Sequence, residues 1–216
     1  MNQEQLIARA EKYVKQELEK DASGHDWWHS DRVRKLAVRI AKEEGADLFI
    51  CELAALLHDV ADAKLNLSEE VGLQKVDDWL MKQEIFPDVQ KQVMGIIKNI
   101  SFKAGRNRNK VLTLEGKVVQ DADRLDAIGA IGIARTMAYA GSRGHLIHVP
   151  GTAIRTEMSV EEYRNHESTA IAHFYEKLLL LKNLMNTATG KRMAARRHAY
   201  MEDFLTEFYS EWDGKS

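Results

Sequence analysis

His58 and Asp59 lie at the end of the strongly apolar segment "AALLHDVADAK", where a buried helix would ordinarily end at a neutral polar residue. Burial of an imidazole and a carboxylate costs desolvation free energy unless a partner satisfies both groups. A divalent cation does so, and this combination of ligand types suits Zn, Fe, Mn, Co and Ni. Because the pair supplies only two ligands, the sequence predicts that further ligands come from elsewhere in the chain.

Two other polar positions could provide the missing ligands. His29 begins a helix whose apolar positions are expected to pack beside the helix that ends at His58. Asp123 lies in "VVQDADRLDAIGAIGIAR", where an acidic cluster interrupts an otherwise apolar helix, and Asp121 is the alternative ligand in that cluster. The alternative to a metal site is that these groups form a buried network of hydrogen bonds. The pattern favours one metal held by two histidines and two carboxylates, with positions left for water and substrate.

These residues carry a resemblance to a known family. The order His29, then His58-Asp59, then Asp123 resembles the HD-domain superfamily of metal-dependent phosphohydrolases. The longer strings "GHDWWHSDRV", "LLHDVAD", "DADRLDAIGAIGIAR" and "HFYEKLLLLKNLMNT" are similar to one branch of bacterial HD-domain hydrolases. The resemblance implies a helical bundle around the ligands His29, His58, Asp59 and Asp123. It also implies hydrolysis of a phosphate ester or anhydride, often in a nucleotide.

The resemblance bears on the cofactor as well. Some relatives hold two metals with additional histidines between the HD pair and the last aspartate, but no histidine occurs here from residue 60 to residue 144. We therefore expect one divalent metal ion per chain, chosen from Mn, Ni, Co, Fe and Mg, with Mn favoured. The same lack of histidines disfavours a cyclic-nucleotide phosphodiesterase.

Groups near the ligands are candidates for catalysis and substrate binding. In related HD hydrolases an acidic residue positions or deprotonates the attacking water, and it stands at the same spacing from the HD pair as Asp62 does here. The resemblance therefore implies that role for Asp62. Phosphate binding requires cations, for which Arg offers a bidentate fork and Lys a compact charge. Lys64 is grouped with Asp62 as catalytic. The substrate-binding candidates beside the ligands are Arg32 and Arg124, and those in two long loops are Arg106, Arg143 and Arg155.

Asp26 and Asp121 are expected to orient ligands from outside the metal's coordination sphere. For Asp26 a second interpretation is equally supported. The turn "GHD" that contains His25 and Asp26 could simply cap the helix that carries His29, through the Asp26 side chain.

Apolar residues recur at spacings of three and four while alternating, strand-like segments are nearly absent, so the sequence predicts an all-α fold. The expected helices cover about 2–20, 27–44, 47–60, 69–84, 87–99, 113–140, 159–187 and 190–211. The third is apolar on all sides and is expected to be central, with Cys51 as a core residue. We expect a single domain over 1–216, with the metal-site core at about 20–130 and the C-terminal helices packed on it.

Charge and composition limit the class of protein. Thirty-one basic residues against 33 acidic ones argue against a large nucleic-acid-binding surface. A charged, amphipathic N-terminal segment, a single cysteine and the lack of long apolar runs predict a cytoplasmic protein without membrane spans. The expected partner is a small phosphorylated molecule, above all a nucleotide, and the amphipathic terminal helices also allow a homodimer. The alternative to an enzyme is a regulatory module that binds metal or senses a nucleotide without turnover.

Overall fold

A computed structural model of the chain describes residues 2–19, 26–62, 65–100, 112–155 and 168–215. Every element of regular secondary structure within these ranges is an α-helix or a 3-10 helix, which confirms the predicted all-α class. In this described part, no helix has both the length and the apolar character required to cross a bilayer. The chain divides into two compact units, Met1–Asp123 and Arg124–Ser216. The single domain remains a prediction.

The first unit is built from helices that alternate with short connections. They are α1 (Gln3–Leu18), α2 (Trp27–Glu44), α3 (Leu48–Leu57), a 3-10 helix at His58–Ala61, α4 (Glu69–Lys82) and α5 (Pro87–Ile100). The next helix, α6 (Leu114–Asp126), contains the boundary between the units. The 3-10 helix is called the HD turn below.

Side-chain caps set where the helices of the first unit begin. The N-cap residues Asp26, Asp47 and Ser68 each accept a hydrogen bond from a backbone N–H in the first turn of α2, α3 and α4. Each cap satisfies a donor that the helix itself leaves unpaired. At the other end of α2, Gly45 adopts a left-handed conformation with φ of 73°, which suits glycine and turns the chain toward α3.

The apolar helix α3 lies in the core of the first unit, as its composition predicts. It packs against α1, α2 and α5, and Cys51 and Leu53 to Leu57 are fully buried. Burial, followed by the charges of Glu115 and Asp47, raises the pKa of the Cys51 thiol to about 12. Cys51 is therefore a core residue, as predicted.

The predicted helix at 47–60 is wrong at its C-terminal end. The α-helix ends at Leu57, the HD turn follows, and Asp62 leaves it in an extended conformation with φ of −65° and ψ of 135°. Val60 and Ala61 are both buried in the turn, so the apolar pattern continues across the change of geometry and conceals it. His58 and Asp62 are consequently not one α-helical turn apart.

The second unit contains α7 (Gly129–Ser142), α8 (Ala170–Glu176), a 3-10 helix at Leu178–Leu184 and α9 (Ala188–Trp212). The prediction of one helix over 113–140 is wrong, because the chain breaks after Asp126 and α7 begins at Gly129. Gly129 has φ of 77°, a conformation that favours glycine. A Cβ atom at Gly132 would lie 2.3 Å from the Ala127 carbonyl oxygen, so glycine there lets α7 approach the break closely.

The predicted helix at 159–187 is also wrong over the part that the structure describes. Lys177 ends α8 with φ of −139° and ψ of −57°, and the leucine run then forms the 3-10 helix. Leu178 and Leu181 are buried at a spacing of three while Leu180 is 41% exposed, which is the periodicity of a 3-10 helix. The predicted start at 159 lies outside the described residues.

Candidate metal centre

His29 is placed by the first turn of α2. The Asp26 carboxylate accepts a hydrogen bond from the His29 backbone N–H at 2.9 Å, which confirms Asp26 as the helix cap. His29 itself is 1% exposed, so its ring points into the first unit. The cap therefore fixes the backbone from which this imidazole projects, while His25 lies outside the described residues.

The orientation of His58 follows from its contact with α3. Its Nδ1 atom lies 2.7 Å from the carbonyl oxygen of Ala55, one turn earlier. A carbonyl oxygen only accepts hydrogen bonds, so Nδ1 must carry the proton and donate it. In the neutral ring Nε2 then presents a lone pair, the form in which imidazole binds metals.

The two histidines converge on two carboxylates. The Nε2 atom of His29 lies 3.3 Å from Asp59 Oδ2 and 3.5 Å from Asp123 Oδ1. The Nε2 atom of His58 lies 3.2 Å from Asp59 Oδ1 and 3.9 Å from Asp123 Oδ1. Asp59 thus presents one oxygen to each ring, and Asp123 presents a single oxygen to both.

This arrangement fits a divalent metal. Ligand atoms of His29, His58 and Asp59 lie within 4.8 Å of one another, and all three residues are buried. Among the described residues, the buried Nε2 atom of His58 has no hydrogen-bond partner although it faces carboxylate oxygens. A lone pair directed at negative oxygens is repulsive, and a cation between the groups converts that repulsion into ligation.

The electrostatics of Asp123 agree with a site built for positive charge. Burial raises the pKa of this carboxyl, but the hydrogen bond with His29 and the positive charge that His58 and His29 carry when protonated lower it further, so that it lies below its usual value. Asp123 therefore stays ionised and available as a ligand. Asp121, the alternative in the same helix, is completely buried, and its role in orienting the ligands remains a prediction.

The catalytic and phosphate-binding roles remain predictions. Asp62 follows the HD turn and is partly exposed, and Arg32 is partly exposed on α2. Arg124 donates a hydrogen bond to the backbone carbonyl of Leu184. The Arg143 guanidinium lies 5.6 Å from the centre of the Tyr139 ring, at the end of α7. The other two candidates, Lys64 and Arg106, lie outside the described residues.

Arg155, one of the expected substrate-binding candidates, is held by residues of the second unit itself. Its guanidinium donates two hydrogen bonds to the Glu176 carboxylate, at 2.8 and 3.0 Å, and Ser168 donates a third at 3.0 Å. Burial raises the pKa of Glu176, but the hydrogen bonds from Arg155 and Ser168 and the Arg155 charge lower it further, below its usual value. This network ties Arg155 to α8.

Three residues that support the centre were not foreseen from the sequence. Ala55 acts through its backbone carbonyl, which carries no side-chain signal. Asn66 donates hydrogen bonds to the carbonyl oxygens of Val60 and Asp62, and Gly72 admits the backbone of α4 against Ala61. Neither residue type is unusual in a loop or a helix, so only the spatial contacts identify them.

Comparisons with known proteins show the family to which the chain is similar. The HD domain family model matches residues 27–128. The chain is 40% identical to the uncharacterized protein YpgQ of Bacillus subtilis over 94% of this chain and 91% of YpgQ. The crystal structure of YpgQ in complex with ADP superposes with a TM-score of 0.78 at 37% identity, covering 97% of this chain and all of that one.

Two further crystal structures are similar over nearly their whole length. A protein from Lactobacillus plantarum is 45% identical with a TM-score of 0.85, covering 96% of this chain and 97% of its own. An HD-superfamily hydrolase from Bacillus thuringiensis is 47% identical with a TM-score of 0.79, covering 98% of this chain and 99% of its own. With the matched family model and these relatives, the chain belongs to the HD-domain superfamily.

Proposed function

We propose that this protein is a metal-dependent phosphohydrolase that acts on a nucleotide. The observation that carries the proposal is the convergence of His29, His58, Asp59 and Asp123, with the His58 lone pair directed at carboxylate oxygens. Two relatives support it, since the Bacillus thuringiensis protein is described as a hydrolase and YpgQ was crystallised with ADP.

His29, His58, Asp59 and Asp123 would hold one divalent cation, with Mn favoured over Ni, Co, Fe and Mg. When bound, such a cation lowers the pKa of water and neutralises the charge that develops on a transferred phosphoryl group. The contribution of the protein is to position the ligands through helix caps and backbone contacts. Asp26 fixes the backbone of His29 at the start of α2, and the Ala55 carbonyl on α3 orients the His58 ring, before any cation arrives.

Asp62 is proposed to position the attacking water and accept its proton. Its carboxylate follows the HD turn directly, so its backbone is anchored to the same segment that carries His58 and Asp59. Arg32, Arg124, Arg143 and Lys64 are proposed to bind the phosphate oxygens that are not transferred, because guanidinium and ammonium groups complement their charge. We place this activity in the cytoplasm, in a monomer or a homodimer.

The test is reconstitution of the metal-free protein in turn with Mn, Ni, Co, Fe and Mg, followed by a screen against nucleoside mono-, di- and triphosphates. Release of orthophosphate would identify a nucleotide phosphatase, and release of pyrophosphate would identify a nucleoside triphosphate pyrophosphohydrolase. If neither product is released with any metal, the protein is a metal-binding or nucleotide-sensing module and the proposal fails.

A pair of variants separates the site from general effects of charge removal. Asp123→Asn should abolish turnover and weaken metal binding. Asp88→Asn makes the same chemical change on an exposed residue in the first turn of α5 and should leave both unchanged. Equal behaviour of the two variants would remove Asp123 from the centre.

A further inference from the structure

The exit of the HD turn is held by one amide. The Nδ2 atom of Asn66 donates hydrogen bonds to the carbonyl oxygens of Val60 and Asp62, each at 2.9 Å. An amide nitrogen carries two hydrogens, so a single side chain can satisfy both acceptors. The two carbonyls flank Ala61, and their shared donor fixes the bend of the chain between the HD turn and the segment that follows.

Backbone hydrogen bonds connect this bend to the proposed site. The Asp62 N–H donates to the Asp59 carbonyl at 3.0 Å, and the Asp62 carbonyl also accepts from the Leu65 N–H at 3.0 Å. The backbone of Asp62 is therefore bound on both sides, toward a proposed metal ligand and toward Asn66. A change at Asn66 would move the segment from which the Asp59 and Asp62 carboxylates project.

Helix α4 supports the same bend from outside. It packs against the HD turn, and its N-cap residue, Ser68, lies two residues after Asn66. A Cβ atom at Gly72 would lie 2.5 Å from the Ala61 carbonyl oxygen and 2.8 Å from Asn66 Nδ2. The backbone of α4 thus lies directly against the hydrogen-bonded bend and limits how far the bend can relax.

We propose that Asn66 is a positioning residue of the metal centre. Its amide holds Asp59 and Asp62 in the geometry that metal ligation and attack by water require, and the inference rests on the function proposed above. Asparagine suits this task because it is short and donates twice. Aspartate has the same shape but, when ionised, only accepts hydrogen bonds, so it would face two carbonyl oxygens with negative charge.

The experiment compares Asn66→Ala and Asn66→Asp with the wild-type protein. Groups that orient metal ligands typically change metal affinity or activity by about 10-fold to 100-fold when removed. We expect both variants to lose about that factor in Mn²⁺ affinity, or in kcat at saturating Mn²⁺. The KM for the nucleotide should be little changed. Affinity is measured by calorimetric titration of the metal-free protein, and thermal melting of the same samples reports folding.

Asn99→Asp is the matched control. Asn99 Nδ2 donates a hydrogen bond, at 2.7 Å, to the Gly95 carbonyl on α5, so the variant makes the same chemical change in a helix that carries none of the proposed ligands. It should retain the wild-type Mn²⁺ affinity and kcat.

Three results would overturn the inference. The first is wild-type Mn²⁺ affinity and kcat in both Asn66 variants. The second is a lower melting temperature with unchanged affinity and kcat, which would make Asn66 merely structural. The third is a defect in Asn66→Asp that Asn66→Ala lacks, which would place the effect in the added charge. Failure of the proposed function shows itself differently, as wild-type protein that binds no Mn²⁺ and releases no phosphate or pyrophosphate.

Discussion

Replacement of Gly72 by alanine would test how closely α4 lies against the turn that carries His58 and Asp59. The new Cβ atom would meet the Ala61 carbonyl oxygen at 2.5 Å, well inside a normal carbon–oxygen contact. The obstructing atom belongs to the backbone, so a change of rotamer cannot relieve the contact. Either α4 or the HD turn must shift.

The magnitude follows from two opposing effects. Added volume at a tightly packed position costs about 1–3 kcal/mol, and a backbone clash favours the upper part of that range. Alanine is better than glycine inside a helix by about 1 kcal/mol, which offsets part of the loss. We expect a net loss of about 2 kcal/mol, which for a chain of this size lowers Tm by about 4–8 °C.

Gly95→Ala is the matched control, because a Cβ atom at this exposed position of α5 meets nothing within 4 Å. Only the helix propensity acts there, so this variant should gain about 1 kcal/mol and melt about 2–4 °C higher. Both variants are melted without metal, so that ligand binding does not contribute to Tm, and are then titrated with Mn²⁺. We expect weaker Mn²⁺ binding for Gly72→Ala alone. If Gly72→Ala melts as high as Gly95→Ala and binds Mn²⁺ like the wild type, the proposed packing of α4 on the HD turn is refuted.

Three other predictions concern separate parts of the molecule. Asp62→Asn should keep its metal while turnover falls by about 10²–10⁴-fold, as expected for loss of a general base; near-normal turnover would remove Asp62 from the mechanism. Glu176→Gln should destabilise the fold by about 1.5–3 kcal/mol at pH 7, the usual range for hydrogen bonds to charged groups. The pKa of Glu176 in the folded protein lies below its ordinary value, so this stabilisation is fully present at any pH above the ordinary pKa. It is lost as the pH falls through the lowered pKa of the folded state. Denaturant titrations should therefore show the two proteins converging in acid, and a constant difference would contradict the Arg155–Glu176 pairing. Cys51 should resist a thiol reagent in the native protein and react once denatured, since burial raises its pKa to about 12; rapid native reaction would show that α3 is not central.

Much of the candidate site could be predicted because buried ionisable groups are costly. His58, Asp59 and Asp123 each interrupt an apolar pattern, and a sequence retains such interruptions only where something compensates the desolvation. The apolar composition of α3 predicted its burial for the same reason. Helix caps are also local, which is why the role of Asp26 at the start of α2 was one of the two interpretations available from the sequence.

The local pattern failed where α-helical and 3-10 geometries bury similar residues. The apolar run through Val60 and Ala61 is consistent with a continued α-helix, yet the chain tightens at His58. The break between α6 and α7 likewise lies within a sequence of good helical periodicity. There the left-handed conformation of Gly129 and the close approach at Gly132 decide the course of the chain, and both depend on neighbouring backbone.

The sequence by itself determined the all-helical class, the central apolar helix and the residues able to bind a metal, because these depend on composition and periodicity. Only the tertiary structure decided that the Ala55 carbonyl orients His58, and that Asn66 and Gly72 hold the exit of the HD turn. Those effects arise from backbone carbonyls and from the space beside a glycine. Neither leaves a mark in side-chain chemistry, so they become visible only in the three-dimensional course of the backbone.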